Sequence, residues 1–104
     1  MPLTIAEARE LFGSHGGGTH SFEAGKCYLI RTVTLYYTGR LVSITDADIV
    51  LESTAWIPDT GRFSECLRTG KCAEVEPYPN QVIVPRGGII DAALWEHPLP
   101  REVK

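Results

Sequence analysis

The residues best suited to chemistry lie in two short loops that interrupt apolar segments. In "VIVPRGGIIDAALW" (82–95), Arg86 and Gly87 separate two runs of valine and isoleucine. In "TDAD", Asp46 and Asp48 come directly before another apolar run. A guanidinium can stack on a nucleic-acid base or bind a phosphate, and a glycine lets a ligand come close to the backbone. The two loops are therefore the first places to examine for a binding role.

Each of these residues also has a second interpretation. Arg86 can contact RNA, or it can form a salt bridge to Asp46 or Asp48 of a neighbouring subunit. The two aspartates can read bases, or they can simply form a turn, because short acidic side chains hydrogen-bond to nearby backbone groups. A catalytic carboxylate pair would need a third group and a pocket, and no sequence feature supplies them. We therefore predict no enzymatic activity.

The three cysteines do not have the spacing of a zinc site. Cys27, Cys66 and Cys72 include no C-x-x-C pair. Cys66 and Cys72 can pair with each other or join a histidine at a metal ion, but reduced thiols are the expectation for a cytoplasmic protein. The histidines lie in Gly-rich or Pro-rich segments and are predicted to be solvated: His15, His20 and His97. We predict no metal and no cofactor.

Aromatic side chains could provide stacking platforms for single-stranded nucleic acid. At strand spacing, however, aromatic residues more often belong to the core or to an interface. The residues concerned are Tyr28, Tyr36, Tyr37, Trp56 and Trp95.

The elements that must position these residues belong to a single domain. A capping box at Thr4–Glu7 predicts a helix over 4–12, and a Gly-rich linker follows over 13–25. The next segment is dense in β-branched and aromatic residues up to position 57, with a bend expected at Gly39.

The second half of the chain is less regular. Residues 58–80 form an irregular insertion, within which "RFSECLRTG" can make one or two helical turns that end at Gly70. Two short strands then flank Arg86, and a Pro-rich tail at 96–104 is expected to lie on the surface or to fray.

Two of these stretches together resemble the motifs of Sm-like proteins, the family of Sm, LSm and Hfq-type small β-barrels. "VTLYYTGRLVSITDADIVLESTAWI" (33–57) is similar to the first motif, with a glycine-containing bend, an acidic turn and a strand that opens on an apolar triplet. "VIVPRGGII" (82–90) is similar to the second motif, an apolar strand, Arg/Lys-Gly and a short apolar strand. The resemblance implies a mainly β fold, an N-terminal α-helix followed by a strongly bent five-stranded antiparallel barrel over residues 26–95.

The resemblance also implies a homo-oligomeric ring of about five to seven subunits. In such rings the acidic-turn loop and the Arg/Lys-Gly loop meet at the pore and grip RNA bases. Carried over to this chain, the RNA-binding residues are Asp46, Asp48, Arg86 and Gly87. The flanking strands pair with neighbouring subunits, so the implied interface residues are Val82, Ile83, Val84, Ile89 and Ile90.

Composition restricts the possible functions. A net charge of −3 over 104 residues provides no basic field for non-specific nucleic-acid binding, so RNA binding depends on a local site. No transmembrane stretch and no secretory signal are visible, which predicts a cytoplasmic protein without membrane contact. The sequence thus predicts a ring-forming protein that binds single-stranded RNA at its pore. The alternative is a structural or scaffolding ring subunit, for example of a protein or phage assembly, with no nucleic-acid role.

Overall fold

A computed structural model describes residues 20–104 of the chain. The predicted helix over 4–12 and the first part of the predicted linker, with His15, lie outside the described residues. The described range contains one α-helix, and a 3-10 turn over Arg86–Gly88 separates the last two strands. In chain order the elements are β1 (Cys27–Thr32), β2 (Tyr36–Ile44), β3 (Asp48–Asp59), α1 (Phe63–Thr69), β4 (Glu74–Pro77), β5 (Val82–Pro85) and β6 (Ile89–Leu94).

All strand pairs are antiparallel and belong to one sheet. The strands follow the order β4-β3-β2-β1-β6, and β5 also pairs with β3. The twelve-residue β3 pairs with β2 along one edge and with two strands along the other. On that second edge, β5 lies against Asp48–Leu51 and β4 lies against the other half, from Ala55 to Asp59. The prediction of a mainly β protein is confirmed.

The expected five-stranded barrel is wrong. Residues 20–104 form six strands in an open sheet, and the α-helix of this range follows β3 in the chain. The additional strand is β4, which lies inside the predicted insertion. Its sequence, Glu-Val-Glu-Pro, has low strand propensity. Pairing with Ala55–Asp59 of β3 stabilises this strand, so β4 forms because of a tertiary contact and not because of its own sequence.

The expected bend at Gly39 coincides with an irregularity in the pairing of β2 with β3. The register shifts between Thr38 and Arg40, and on β3 Ser53 adopts a positive φ of 50°. A Cβ atom at Gly39 would lie 2.9 Å from the Thr54 hydroxyl oxygen and 3.2 Å from the Leu51 Cβ. The two strands therefore approach each other too closely for any larger residue at this position.

Both faces of the sheet are covered by apolar groups. One cluster contains Ile30, Leu41 and Leu51, together with Val84 of β5. The other cluster lies under α1 and the C-terminal tail, with Leu29, Ile57, Cys66, Cys72, Val75 and Trp95 among its members. Burial on two faces explains why β1 reads as a nearly continuous apolar run instead of an alternating one.

The Pro-rich tail is attached to the fold, although it contains no regular element. Trp95 is 3% exposed and donates its indole N–H to the Pro98 carbonyl over 3.2 Å. Arg101 donates to the carbonyls of Thr54 at 2.7 Å and Tyr78 at 2.9 Å. The tail thus lies on the surface of the fold, as one of the two expected arrangements has it, and hydrogen bonds attach it there.

Among residues 20–104 there is no helix with both the length and the apolar character needed to cross a bilayer.

Candidate functional site

The two loops that the sequence selects meet in the structure. We call the contact between Thr45–Asp48 and Arg86–Gly88 the loop junction. The Arg86 backbone N–H donates to the Ala47 carbonyl over 2.9 Å, and the Arg86 guanidinium donates to the Thr45 carbonyl over 2.6 Å. Arg86 therefore ties the turn before β3 to the turn between β5 and β6.

Thr45, not an aspartate, organises the acidic turn. Its hydroxyl accepts hydrogen bonds from the backbone N–H groups of Ala47 at 3.1 Å and Asp48 at 3.2 Å. The Asp48 carboxylate lies at the limit of hydrogen bonding to the same hydroxyl, 3.5 Å away, and Asp46 is exposed. A hydroxyl can make these turn bonds as well as a carboxylate can, so the turn does not require the charges at positions 46 and 48.

The Arg86 guanidinium binds a carbonyl within its own chain. The ion pairs found among residues 20–104 are Arg31–Asp91, Arg40–Glu52 and Arg68–Glu65, none of which includes Arg86. The predicted salt bridge from Arg86 to Asp46 or Asp48 of another subunit stays a prediction, as does a contact of these residues and Gly87 with RNA.

Neither the backbone conformation nor the neighbouring atoms require glycine at positions 87 and 88 of the turn. Gly87 and Gly88 have no positive φ. A Cβ atom at either position would meet nothing within 4 Å among the described residues. The absence of side chains here leaves a stretch of backbone accessible at the surface.

Three strands form the edges of the described sheet, and one of them is covered. β4 pairs with β3 on one side, and on the other side Val75 and Lys104 exchange two backbone hydrogen bonds of 2.9 and 3.0 Å. β5 pairs only with β3, and β6 pairs only with β1. Within residues 20–104, the outer edges of β5 and β6 carry no further strand, and we call them the open edges.

The predicted interface residues divide between the core and the surface. Val84 is 3% exposed and belongs to the core, which Val82 and Ile89 also contact. Ile83 and Ile90 are 65% and 58% exposed. Leu94 on β6, which sequence reasoning missed, is 57% exposed. Strand alternation gives no simple signal for it, because the register of β6 on β1 shifts between Asp91 and Ile89.

A cavity of about 620 Å³ lies beside β6. Phe22, Tyr28, Ile90 and Leu94 supply apolar surface, and Arg86 reaches it from the loop junction. Carboxylates also line it: Glu23 precedes β1, and Asp91 pairs with Arg31. That hydrogen-bonded ion pair holds the pKa of the Asp91 carboxyl below its usual value. The cavity is therefore apolar with charges of both signs at its edge.

The remaining candidates from the sequence are histidines, aromatic residues and possible metal ligands, and most of them contact other parts of the fold. His97 lies 2.8 Å from the Leu67 carbonyl through Nε2 and packs edge to face on Trp95. Tyr28, Tyr37 and Trp95 are buried, and Trp56 is 37% exposed. In the described part of the chain, no three histidine, cysteine or acidic side chains are grouped as metal ligands.

Comparison with known proteins adds no relative. No family model matches the chain, and no curated protein and no solved structure is similar to it at a significant level.

Proposed function

We propose that this protein is a structural subunit that assembles into a homo-oligomeric ring by pairing the open edge of β5 in one copy with the open edge of β6 in the next. The observation that carries this proposal is the pair of open edges on either side of one tight turn, with Ile83, Ile90 and Leu94 exposed along them. The cytoplasm is the location expected from the sequence.

Unpaired strand edges with exposed apolar side chains favour association, because backbone groups and side chains both gain partners. β4 provides the contrast within the same sheet, since Lys104 covers its outer side. The chain therefore protects one edge and leaves two open in its described part.

The two open edges differ from each other, which determines the type of contact. Pairing of β5 with a partner's β6 is heterologous, and repeated heterologous contacts close into a ring when the rotation between copies allows it. The Arg86–Gly88 turn lies between the two edges. Its glycines leave the backbone accessible to close approach by a neighbouring copy.

Light scattering coupled to size-exclusion chromatography tests the assembly. We expect wild type to form one discrete oligomer of about five to seven chains. Ile83→Lys and Ile90→Lys should each raise the protein concentration at half-assembly at least tenfold, because a charge replaces an apolar contact. Val103→Lys is the matched control, since Val103 is 73% exposed and lies next to the covered edge. A wild type that stays monomeric at every concentration, or equal effects of all three substitutions, contradicts the proposal.

Binding of single-stranded RNA at the loop junction is a second candidate function. It is supported by Arg86, which brings a cation and an accessible glycine backbone next to the 45–48 turn. The carboxylates of Asp46 and Asp48 in the same turn, and the net charge of −3, oppose phosphate binding.

Titration with short U-rich and A-rich oligonucleotides at two salt concentrations separates the two functions. If the junction binds RNA, Arg86→Ala should weaken binding by about 1.5–3 kcal/mol, the range for a hydrogen bond to a charged group. Arg62→Ala, which removes another arginine away from the junction, should leave it unchanged. If wild type does not bind at low salt, where electrostatic attraction is strongest, RNA binding is excluded and the structural ring stands.

A further inference from the structure

Two cysteine sulfur atoms are in contact beneath the helix. Cys66 lies on α1 and Cys72 follows the helix, and their Sγ atoms are 3.5 Å apart. Both residues are buried, with 0% and 3% of their surface exposed. The two atoms that a disulfide would join are therefore already neighbours in the folded chain.

The turn at Gly70 produces this contact. In a continuous helix, residues six apart would lie about 9 Å apart along the axis and on different faces. Gly70 instead adopts φ 77° and donates its N–H to the Cys66 carbonyl over 2.8 Å. The Thr69 hydroxyl accepts from the Lys71 N–H and donates to the Glu65 carbonyl, which holds the reversed segment in place. The chain thus turns back and brings Cys72 to Cys66.

We propose that Cys66 and Cys72 form a disulfide-forming site that exchanges with thiol-disulfide oxidants of the glutathione class. The thiolate of one cysteine attacks the disulfide of the oxidant, which produces a mixed disulfide and releases one oxidant thiol. The second cysteine, as thiolate, attacks the protein sulfur of the mixed disulfide and releases the other oxidant thiol. Two electrons pass from the cysteines to the oxidant, the two cysteine protons end on the two released thiols, and one bond joins Cys66 to Cys72.

The surroundings make this exchange slow in the folded chain. Both sulfurs pack within the apolar cluster that contains Val75 and Trp95. Burial is the main cause that raises the pKa of the Cys72 thiol to about 12, and the hydrogen bond to Cys66 is the second. Since only thiolates attack disulfides, exchange proceeds when the α1 segment opens or during folding. Cys27, half-buried on β1, provides an internal comparison.

Equilibration in glutathione buffers tests the site on the intact chain. The protein is refolded at a series of ratios of reduced to oxidised glutathione, quenched in acid, alkylated and digested for mass spectrometry. A parallel series is kept in denaturant. We expect the Cys66–Cys72 disulfide to have an effective concentration at least tenfold higher in the folded chain than in the unfolded chain, because folding places the sulfurs in contact.

Cys27→Ser should retain this bond and Cys66→Ser should lose it, while Cys27 in wild type carries only mixed disulfides with glutathione. An effective concentration in the folded chain equal to or below that in denaturant overturns the proposal, as does a bond that joins Cys27 to either partner. The result does not depend on ring formation, because it is read on single chains.

Discussion

Two glycines near the ends of α1, Gly61 and Gly70, share a backbone conformation but have different surroundings. Their φ angles are 74° and 77°, in the left-handed region that L side chains rarely adopt. A Cβ atom at Gly70 would lie 2.5 Å from Cγ and 2.6 Å from Cβ of His97, whereas at Gly61 the nearest atom is the Ala73 Cβ at 3.7 Å. His97 cannot easily move, since Trp95 and the Leu67 carbonyl hold its ring.

We therefore predict that Gly70→Ala reduces the free energy of unfolding clearly more than Gly61→Ala does. The substitution at 61 should cost only the left-handed conformation, about 1–2 kcal/mol, while the substitution at 70 adds the clash with His97. Urea denaturation of both variants measures the difference. Equal losses would show that His97 moves away without cost.

The Cys72 thiol should lower the free energy of unfolding at alkaline pH. Its pKa is raised to about 12 by burial and then by Cys66, while an unfolded thiol ionises near pH 8.5. Because the folded state holds the proton more tightly, this contribution to stability is complete below about pH 8.5 and is lost as the pH rises towards 12.

Under reducing conditions, wild type should accordingly lose stability above pH 9 more steeply than Cys72→Ala. The difference in slope is at most about 1.4 kcal/mol per pH unit, the value for one proton. Urea unfolding between about pH 7.5 and 10.5 measures both slopes. Parallel slopes would mean that Cys72 ionises alike in both states.

At the scale of elements, the C-terminal tail completes the sheet. Lys104 pairs with Val75 on the outer side of β4, and Arg101 spans the carbonyls of Thr54 and Tyr78. A four-residue strand such as β4 makes few backbone hydrogen bonds to β3. The two bonds between Val75 and Lys104 are therefore a large share of the hydrogen bonds that hold β4 in the sheet.

Arg101→Ala should detach this segment. We expect a loss of about 1.5–3 kcal/mol in unfolding free energy, the range for a hydrogen bond to a charged group, and faster amide hydrogen exchange at Val75 and Lys104 than in wild type. Arg62→Ala removes an arginine whose side chain makes no cap hydrogen bond at the start of α1, and it serves as the control. Exchange that is unchanged at both amides would show that the tail is held without Arg101.

At the scale of the whole molecule, the turn between the open edges carries the proposed assembly. A Cβ atom added at Gly87 or Gly88 would have no atom of the described residues within 4 Å, and neither glycine has a positive φ. The fold of one chain thus tolerates a larger residue here, whereas in the proposed ring a neighbouring copy packed against this backbone would not.

Gly87→Ala should separate folding from assembly. The free energy of unfolding of the single chain should stay equal or rise slightly, because alanine has less freedom to lose than glycine. The concentration at half-assembly should increase several-fold, as measured by light scattering. Gly61→Ala should show the opposite pattern, with weaker folding and unchanged assembly. If Gly87→Ala assembles like wild type, the turn lies outside the contact between copies.

Features with local causes could be predicted from the order of the amino acids alone. Runs of β-branched residues predict the mainly β fold, and Gly70 ends α1 where the pattern indicates, since glycine alone adopts the left-handed conformation without strain. The two apolar runs on either side of Arg86 are strands for the same reason.

Features that depend on contacts between residues distant in the chain could not be predicted in this way. β4 exists because β3 is long enough to pair with two strands along the edge opposite β2, and propensity alone does not predict it. Ile83 and Val84 are equally apolar, yet one is exposed and the other buried, because pairing with β3 determines which face of β5 meets the core. The contact between Cys66 and Cys72 and the covering of β4 by Lys104 likewise arise where separate segments fold onto one sheet. Sequence patterns encode the period of each element, whereas the partner that each element meets is set by packing.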